Sequence, residues 1–170
     1  AAYHHVQPPD AGTINTARSL YQEIIDRAPG SRWSARAMYN IGRILELRDY
    51  PDDVLDMDGA REWYDRVARE FPDQPIAGEA VLRSAAVLVM SYDAPTYPRV
   101  KQGIALLESW LASHPDEPLA SVMWQYLGDS YFRPLADYAN AMRCYEQTDR
   151  LGWVDAGNQG PWYWRCAQIA

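Results

Sequence analysis

Apolar positions along the chain recur at steps of three and four residues, in segments that end at evenly spaced prolines. Pro29, Pro72 and Pro115 lie 43 residues apart, and they close the segments ARSLYQEIIDRAP, AREWYDRVAREFP and GIALLESWLASHP. Steps of three and four place side chains on one face of an α-helix. The pattern therefore predicts three related amphipathic helices, each ended by a proline, which cannot donate to the helical ladder.

Small residues stand at fixed points of this repeat. They are Ala17, Ala60 and Gly103 in the segment before each proline, and Gly42, Ala85 and Gly128 in the segment after it. Helices approach one another closely only where side chains are small. The sequence therefore predicts a chain of antiparallel helical hairpins that pack through these positions.

Two of the hairpins have longer connections than the third. The small residues are 18 residues apart from Gly42 to Ala60 and from Ala85 to Gly103, but only 13 apart from Gly128 to Ala141. The extra residues fall in RDYPDDVLDMDG (48–59) and YDAPTYPRVKQG (92–103), which we expect to be loops at one edge of the stack. These loops either contact a partner or are lineage-specific insertions without a binding role.

The order of small, aromatic, apolar and proline residues resembles the tetratricopeptide repeat. The best-matched unit consists of Trp124, Leu127, Gly128, Tyr131, Ala141 and Tyr145. The resemblance implies an all-α fold, a right-handed superhelical solenoid of helical hairpins over residues 17–170, with residues 1–16 as an N-terminal extension. We expect the repeat to continue beyond residue 170.

A narrower resemblance concerns the cell compartment. The segments YQEIIDRAPGSRWSARAMYNIGRI and WYDRVAREFPDQPIAGEA are similar to the bacterial envelope type of this repeat, found in outer-membrane assembly lipoproteins and cell-division coordinators. This similarity favours the periplasm or cell envelope over the cytoplasm.

The family resemblance also implies where a partner binds, because one helix of each hairpin lines a concave groove. Carried over residue by residue, the groove positions are Arg36, Tyr39, Arg43, Leu82, Ala86, Met90, Gln125, Asp129 and Phe132. Aromatic, arginine and methionine side chains suit an extended or helical peptide. The alternative is that some of them are buried against a further hairpin or a neighbouring subunit.

Charge and hydropathy narrow the class of partner. The 170 residues include 16 basic and 23 acidic side chains, a net charge of −7, which disfavours nucleic acid and anionic membranes as partners. The longest aliphatic run, Ala85–Met90, is far shorter than the roughly 20 residues needed to cross a bilayer. The partner is therefore expected to be a protein or peptide, with no membrane span in the chain.

Catalytic and metal-binding motifs are absent from the sequence. It contains no Gly-x-Ser-x-Gly, phosphate loop or Rossmann fingerprint, so we expect no enzyme activity and no cofactor. The acidic run 52–58 is out of register for a calcium loop, because Gly59 at its sixth position would put Val54 at the first. We expect Asp58 instead to cap a helix beginning near Ala60, and we predict no metal site.

The two cysteines, Cys144 and Cys166, fall in segments that are expected to pack against each other. They are either two buried free thiols or a disulfide between neighbouring helices, which an exported chain would favour.

The function predicted from the sequence is a non-enzymatic scaffold that binds a peptide or protein in its concave groove, as part of a larger bacterial assembly, as a homo- or hetero-oligomer. Two alternatives remain. One is a permanent structural subunit of an extracellular or membrane-associated complex, which uses its convex face and loops. The other is an accessory segment of a larger enzyme.

Overall fold

A computed structural model of the chain describes residues 11–46, 56–89 and 97–153, together with residue 167. These residues form seven α-helices and no strand, which confirms the all-α fold class. The helices are α1 (Ala11–Arg27), α2 (Arg32–Leu45), α3 (Met57–Glu70), α4 (Pro75–Val89), α5 (Tyr97–Ser113), α6 (Ala120–Phe132) and α7 (Tyr138–Leu151).

The 43-residue repeat is visible in the backbone hydrogen bonds at the helix ends. Helices α1, α3 and α5 each end two residues before a repeat proline. The residue in front of each proline still donates to the carbonyl four residues earlier, over 2.9–3.0 Å; the pairs are Ala28 to Ile24, Phe71 to Val67 and His114 to Trp110. Each proline therefore ends its helix at the same point of the repeat.

The turns that follow the prolines also repeat. An N–H group donates three residues back in each turn, over 3.0–3.2 Å; the pairs are Ser31 to Ala28, Gln74 to Phe71 and Glu117 to His114. In the first turn Gly30 has a φ of 73°, a left-handed conformation that suits glycine. These turns lead into α2, α4 and α6, so the predicted order of helix, proline turn and helix is confirmed.

The chain divides into two compact units, Ala1–Ile76 and Ala77–Ala170. In the first unit, α2 packs against both α1 and α3. Its core includes Met38, Ile41, Tyr64 and Val67, each at most 2% exposed. A Cβ atom added to Gly42 would lie 2.6 Å from Cε1 of Tyr64, so α2 and α3 meet where the glycine leaves room for the tyrosine ring.

The second unit repeats this contact with another glycine and another tyrosine. Helix α6 packs most extensively against α7, and Gly128 faces the ring of the fully buried Tyr145. Helix α5 approaches α4 at Gly103, where an added Cβ atom would lie 2.9 Å from Cγ2 of Val89 and 3.1 Å from the carbonyl oxygen of Ala85. Three of the small positions predicted from the sequence, Gly42, Gly103 and Gly128, are thus points of close helix contact.

The turn between α5 and α6 is held by side chains. The rings of Trp110 and His114 stack with centroids 3.7 Å apart. Trp110 Nε1 donates to Oε2 of Glu117 over 2.7 Å, and the other oxygen of that carboxylate accepts from the backbone N–H of Leu119 over 3.0 Å. One carboxylate thus links the end of α5 to the start of α6.

Three expectations from the sequence need revision or qualification. The predicted cap at Asp58 is wrong: α3 begins at Met57, and Asp56 caps it by accepting the N–H of Gly59 over 2.9 Å. Residues 57–59 and 97–103 of the two expected loops are helical, while residues 48–55 and 92–96 lie outside the described residues. Helix α1 begins at Ala11, inside the expected N-terminal extension.

The Gly42 contact predicts a stability effect. Gly42→Ala should lower the free energy of unfolding by about 1–3 kcal/mol, because the methyl group overlaps the Tyr64 ring, although alanine by itself favours a helix by about 1 kcal/mol. Urea unfolding followed by circular dichroism measures this change. In a Tyr64→Leu background the same substitution should cost less, and an equal cost in both backgrounds would contradict the proposed contact.

Candidate interaction surfaces

The predicted groove residues of α2 are only partly available to a partner. Arg36 is exposed, and its guanidinium lies 5.8 Å from the centroid of the Tyr39 ring. Tyr39 itself is 7% exposed and packs against Tyr64, with ring centroids 5.5 Å apart. The tyrosine is therefore mainly a core residue, and the arginine above it is what α2 presents to solvent at this point.

Arg43, one turn further along α2, lies beside a carboxylate. Its Nε is 3.4 Å from Oε2 of Glu46, and the two side chains are 40% and 15% exposed. Burial raises the pKa of the nearby Tyr64 hydroxyl, and the negative charge of Glu46 raises it further. This end of α2 therefore carries a charge pair over a tyrosine that stays protonated.

Helix α4 presents one narrow strip to solvent. From Ile76 to Val89 every residue is buried except four half-buried ones: Glu79, Leu82, Arg83 and Ala86. Their spacing of three and four residues places them on one face of the helix. Of the predicted groove residues on α4, Leu82 and Ala86 lie in this strip, and Met90 lies outside the described residues.

The predicted groove residues of α6, which are half-buried, contact α7. Asp129 accepts a hydrogen bond of 2.7 Å from Oη of Tyr145, and the ring of Phe132 lies 5.5 Å from that of Tyr138. Gln125 is half-buried as well. Two of the three α6 positions therefore help to hold the α6–α7 hairpin.

An electrostatic interaction links Arg83, in the α4 strip, to Tyr126 on α6. Burial raises the pKa of Tyr126 on α6, the charge of Asp129 raises it further, and the positive charge of Arg83 on α4 opposes the rise. The structure therefore brings Arg83 of the α4 strip near Tyr126 on α6. The groove positions of α2 belong to the other compact unit.

One surface was not anticipated from the sequence. Leu20, Ile24 and Trp33 are 55%, 38% and 60% exposed, and they line an open cavity of about 550 Å³ on α1 and the start of α2. The guanidinium of Arg32 lies 4.7 Å from the centroid of the Trp33 ring. The signal was present in the repeat, because Leu20 and Ile24 align with positions occupied by large residues in later helices.

Possible metal-ligating side chains are dispersed in the part of the chain that the structure describes. No cluster of three or more histidine, cysteine or carboxylate side chains occurs among residues 11–46, 56–89 and 97–153. Cys144 is a buried free thiol, and its predicted partner Cys166 lies outside the described residues. Burial, followed by the charge of Glu108, raises the pKa of the Cys144 thiol to about 12.

A search of the described helices for a membrane-spanning segment finds none that is long and apolar enough. Comparison with known proteins finds no protein family and no curated protein that matches the chain.

The environment of Cys144 predicts slow reaction with thiol reagents. In a Cys166→Ser variant at about pH 8, the folded chain should react roughly 10²–10³ times more slowly than the urea-unfolded chain, because a buried thiol with a raised pKa is rarely ionised. The rate is measured by reaction with a chromogenic disulfide. Comparable rates in the folded and unfolded chains would contradict the burial of Cys144.

The raised pKa of the Cys144 thiol predicts how the free energy of unfolding changes with pH. The thiol of the unfolded chain ionises near pH 8.5, below its pKa of about 12 in the folded chain. Stability that depends on the neutral thiol is therefore fully present below about pH 8.5 and is lost as the pH rises towards 12. A Cys144→Ala variant should lose less stability over this range than the parent, as measured by urea unfolding at each pH.

Proposed function

We propose that this chain is a helical-repeat scaffold of the tetratricopeptide type that binds a peptide or protein partner. The observation that carries the proposal is the strip on α4, since Glu79, Leu82, Arg83 and Ala86 are its only residues between positions 76 and 89 that are not buried. A helix buried on all other sides has one face left for contact. That face includes Leu82 and Ala86, two of the positions that the family resemblance assigns to the groove.

The chemistry of the strip suits a peptide. Leu82 and Ala86 offer apolar area, while Glu79 and Arg83 supply one charge of each sign beside it. Arginine is one of the residues that most often contribute strongly to binding at interfaces, and Arg83 here lies beside apolar area. Exposed Arg36 and the Arg43–Glu46 pair offer similar groups on α2.

The repeat geometry supports the solenoid arrangement in this proposal. The hydrogen bonds at the helix ends recur every 43 residues, and Gly42 and Gly128 occupy equivalent close contacts with tyrosine rings. Stacked hairpins with a constant offset produce an extended superhelix, whose concave side is the usual binding surface. The bacterial envelope is the compartment that we propose, on the residue patterns described above.

A second candidate function is a permanent structural subunit. The observation that favours it is the exposed apolar group of Leu20, Ile24 and Trp33, because apolar patches on soluble domains commonly mark interfaces. In that case the main contact would lie on α1 rather than on α4.

The scaffold proposal predicts the effect of a charge in the α4 strip. Leu82→Glu should abolish co-purification of the partner from an extract of the native organism, because the carboxylate would be placed in the apolar part of the interface. Leu106→Glu on α5 is the matched control, since Leu106 is equally half-buried but is not a predicted groove residue. Both variants are first shown to keep the helical content of the parent.

The identity of the captured protein is checked by mass spectrometry and by binding of the purified partner. Retention of the partner by Leu82→Glu, or its loss in both variants, would contradict a binding site on the α4 strip.

A further inference from the structure

The outer face of α1 carries an apolar stripe. Ala17, Leu20 and Ile24 follow one another at steps of three and four residues and are half-buried or exposed. Three open cavities lie along this helix. The largest, of about 550 Å³, is lined by Leu20, Ile24 and Trp33, and Ala17 lines the other two.

Most equivalent positions in the other helices are buried. In α3, Ala60 and Val67 align with Ala17 and Ile24 and are 0% exposed, while Trp63, which aligns with Leu20, is half-buried. In α5, the residues that align with Leu20 and Ile24 are the half-buried Leu106 and Trp110. In α7, the aligned residues are Ala141, Cys144 and Thr148, with exposures of 0%, 3% and 0%. The stripe on α1 therefore has the character of a face that is covered elsewhere in the repeat.

The structure shows what covers the equivalent faces. Helix α3 packs against α2, and α7 packs against α6. Each covering helix places a glycine on a tyrosine of its neighbour, Gly42 on Tyr64 and Gly128 on Tyr145. Tyr21 on α1 aligns with both tyrosines.

The two covering helices share a residue pattern. Large apolar or aromatic residues precede the glycine by four and by one and follow it by three; they are Met38, Ile41 and Leu45 in α2, and Trp124, Leu127 and Tyr131 in α6. We therefore expect a helix that covers the α1 face to carry a glycine. Large residues would stand four and one positions before that glycine and three positions after it.

The net charge around α1 indicates which charge the partner helix carries. Residues 11–46 contain five arginines and three carboxylates, a balance of +2 in a chain of net charge −7. Glu23 and Arg27 line the largest of these cavities and form an ion pair of 2.6 Å. The positive charge at its edge is therefore that of Arg32, which lies over Trp33. A symmetric contact between two copies of α1 would bring like charges together, whereas a helix with acidic residues would be attracted.

We propose that the outer face of α1 is a second interaction surface, which binds an acidic amphipathic helix of a partner protein through a glycine placed over Tyr21. The inference is independent of the α4 strip. It assigns a role to the exposed Leu20, Ile24 and Trp33, which the scaffold proposal leaves unused.

The probe for this surface is a fluorescein-labelled synthetic peptide of residues 116–133, DEPLASVMWQYLGDSYFR. This peptide contains the α6 pattern with three carboxylates and one arginine. Fluorescence anisotropy should show saturable binding to the whole chain. Leu20→Glu should weaken it at least tenfold, because a carboxylate replaces an exposed apolar contact and opposes an acidic helix.

Three controls separate this surface from others. Ser19→Glu adds the same charge at another exposed position of α1 and should change the dissociation constant less than twofold. Leu82→Glu, in the α4 strip, should leave peptide binding unchanged, so the two proposals fail or succeed separately. A peptide with Gly128→Leu should bind at least tenfold more weakly, because it could not approach Tyr21.

Several outcomes would overturn the proposal. One is the absence of binding at peptide concentrations of about 1 mM. Another is a dissociation constant that Leu20→Glu does not change. In that case the peptide, which copies α6, would have replaced the chain's own α6 rather than bound to α1. Sedimentation that shows self-association lost in Leu20→Glu would assign the face to a second copy instead.

Discussion

The fold depends on the close approach of two helices where a glycine on one receives an aromatic ring from the other. At Gly42 and at Gly128 an added methyl group would overlap a buried tyrosine ring. Tyr64 and Tyr145 are large side chains at the centre of their units, and they fit only because the opposite position is empty. The contacts join helices that follow each other in the chain, α2 with α3 and α6 with α7, and the proline turns connect these pairs to the helices beside them.

Burial against neighbouring helices also decides which faces remain for binding. Between positions 76 and 89, α4 keeps four half-buried residues in one strip, whereas α1 retains an exposed apolar stripe. The strip is mixed in charge and suits a peptide, as we propose for the scaffold function. The α1 stripe is more apolar, and most of its equivalents in α3 and α7 are buried, so we propose a helix as its partner.

Polar side chains within the units reinforce the same contacts. Asp129 accepts from the hydroxyl of Tyr145, the ring that Gly128 receives, and Glu117 joins the end of α5 to the start of α6. A predicted groove residue can therefore be part of the packing. Leu82 is half-buried and Arg36 is exposed, so both keep surface that a partner can reach.

The sequence by itself determined the order of the helices, the helix ends at the prolines and the close contacts at Gly42, Gly103 and Gly128. Periodicity, proline chemistry and the absence of a side chain act locally, so they can be recognised without the tertiary structure. Only the tertiary structure decided which predicted groove residues are accessible. Tyr39 and Leu82 both align with groove positions, yet Tyr39 is buried against Tyr64 while Leu82 stays at the surface. Exposure depends on whether a neighbouring helix covers the residue. Ile24 and Val67 occupy the same position of the repeat, yet Ile24 is exposed and Val67 is buried.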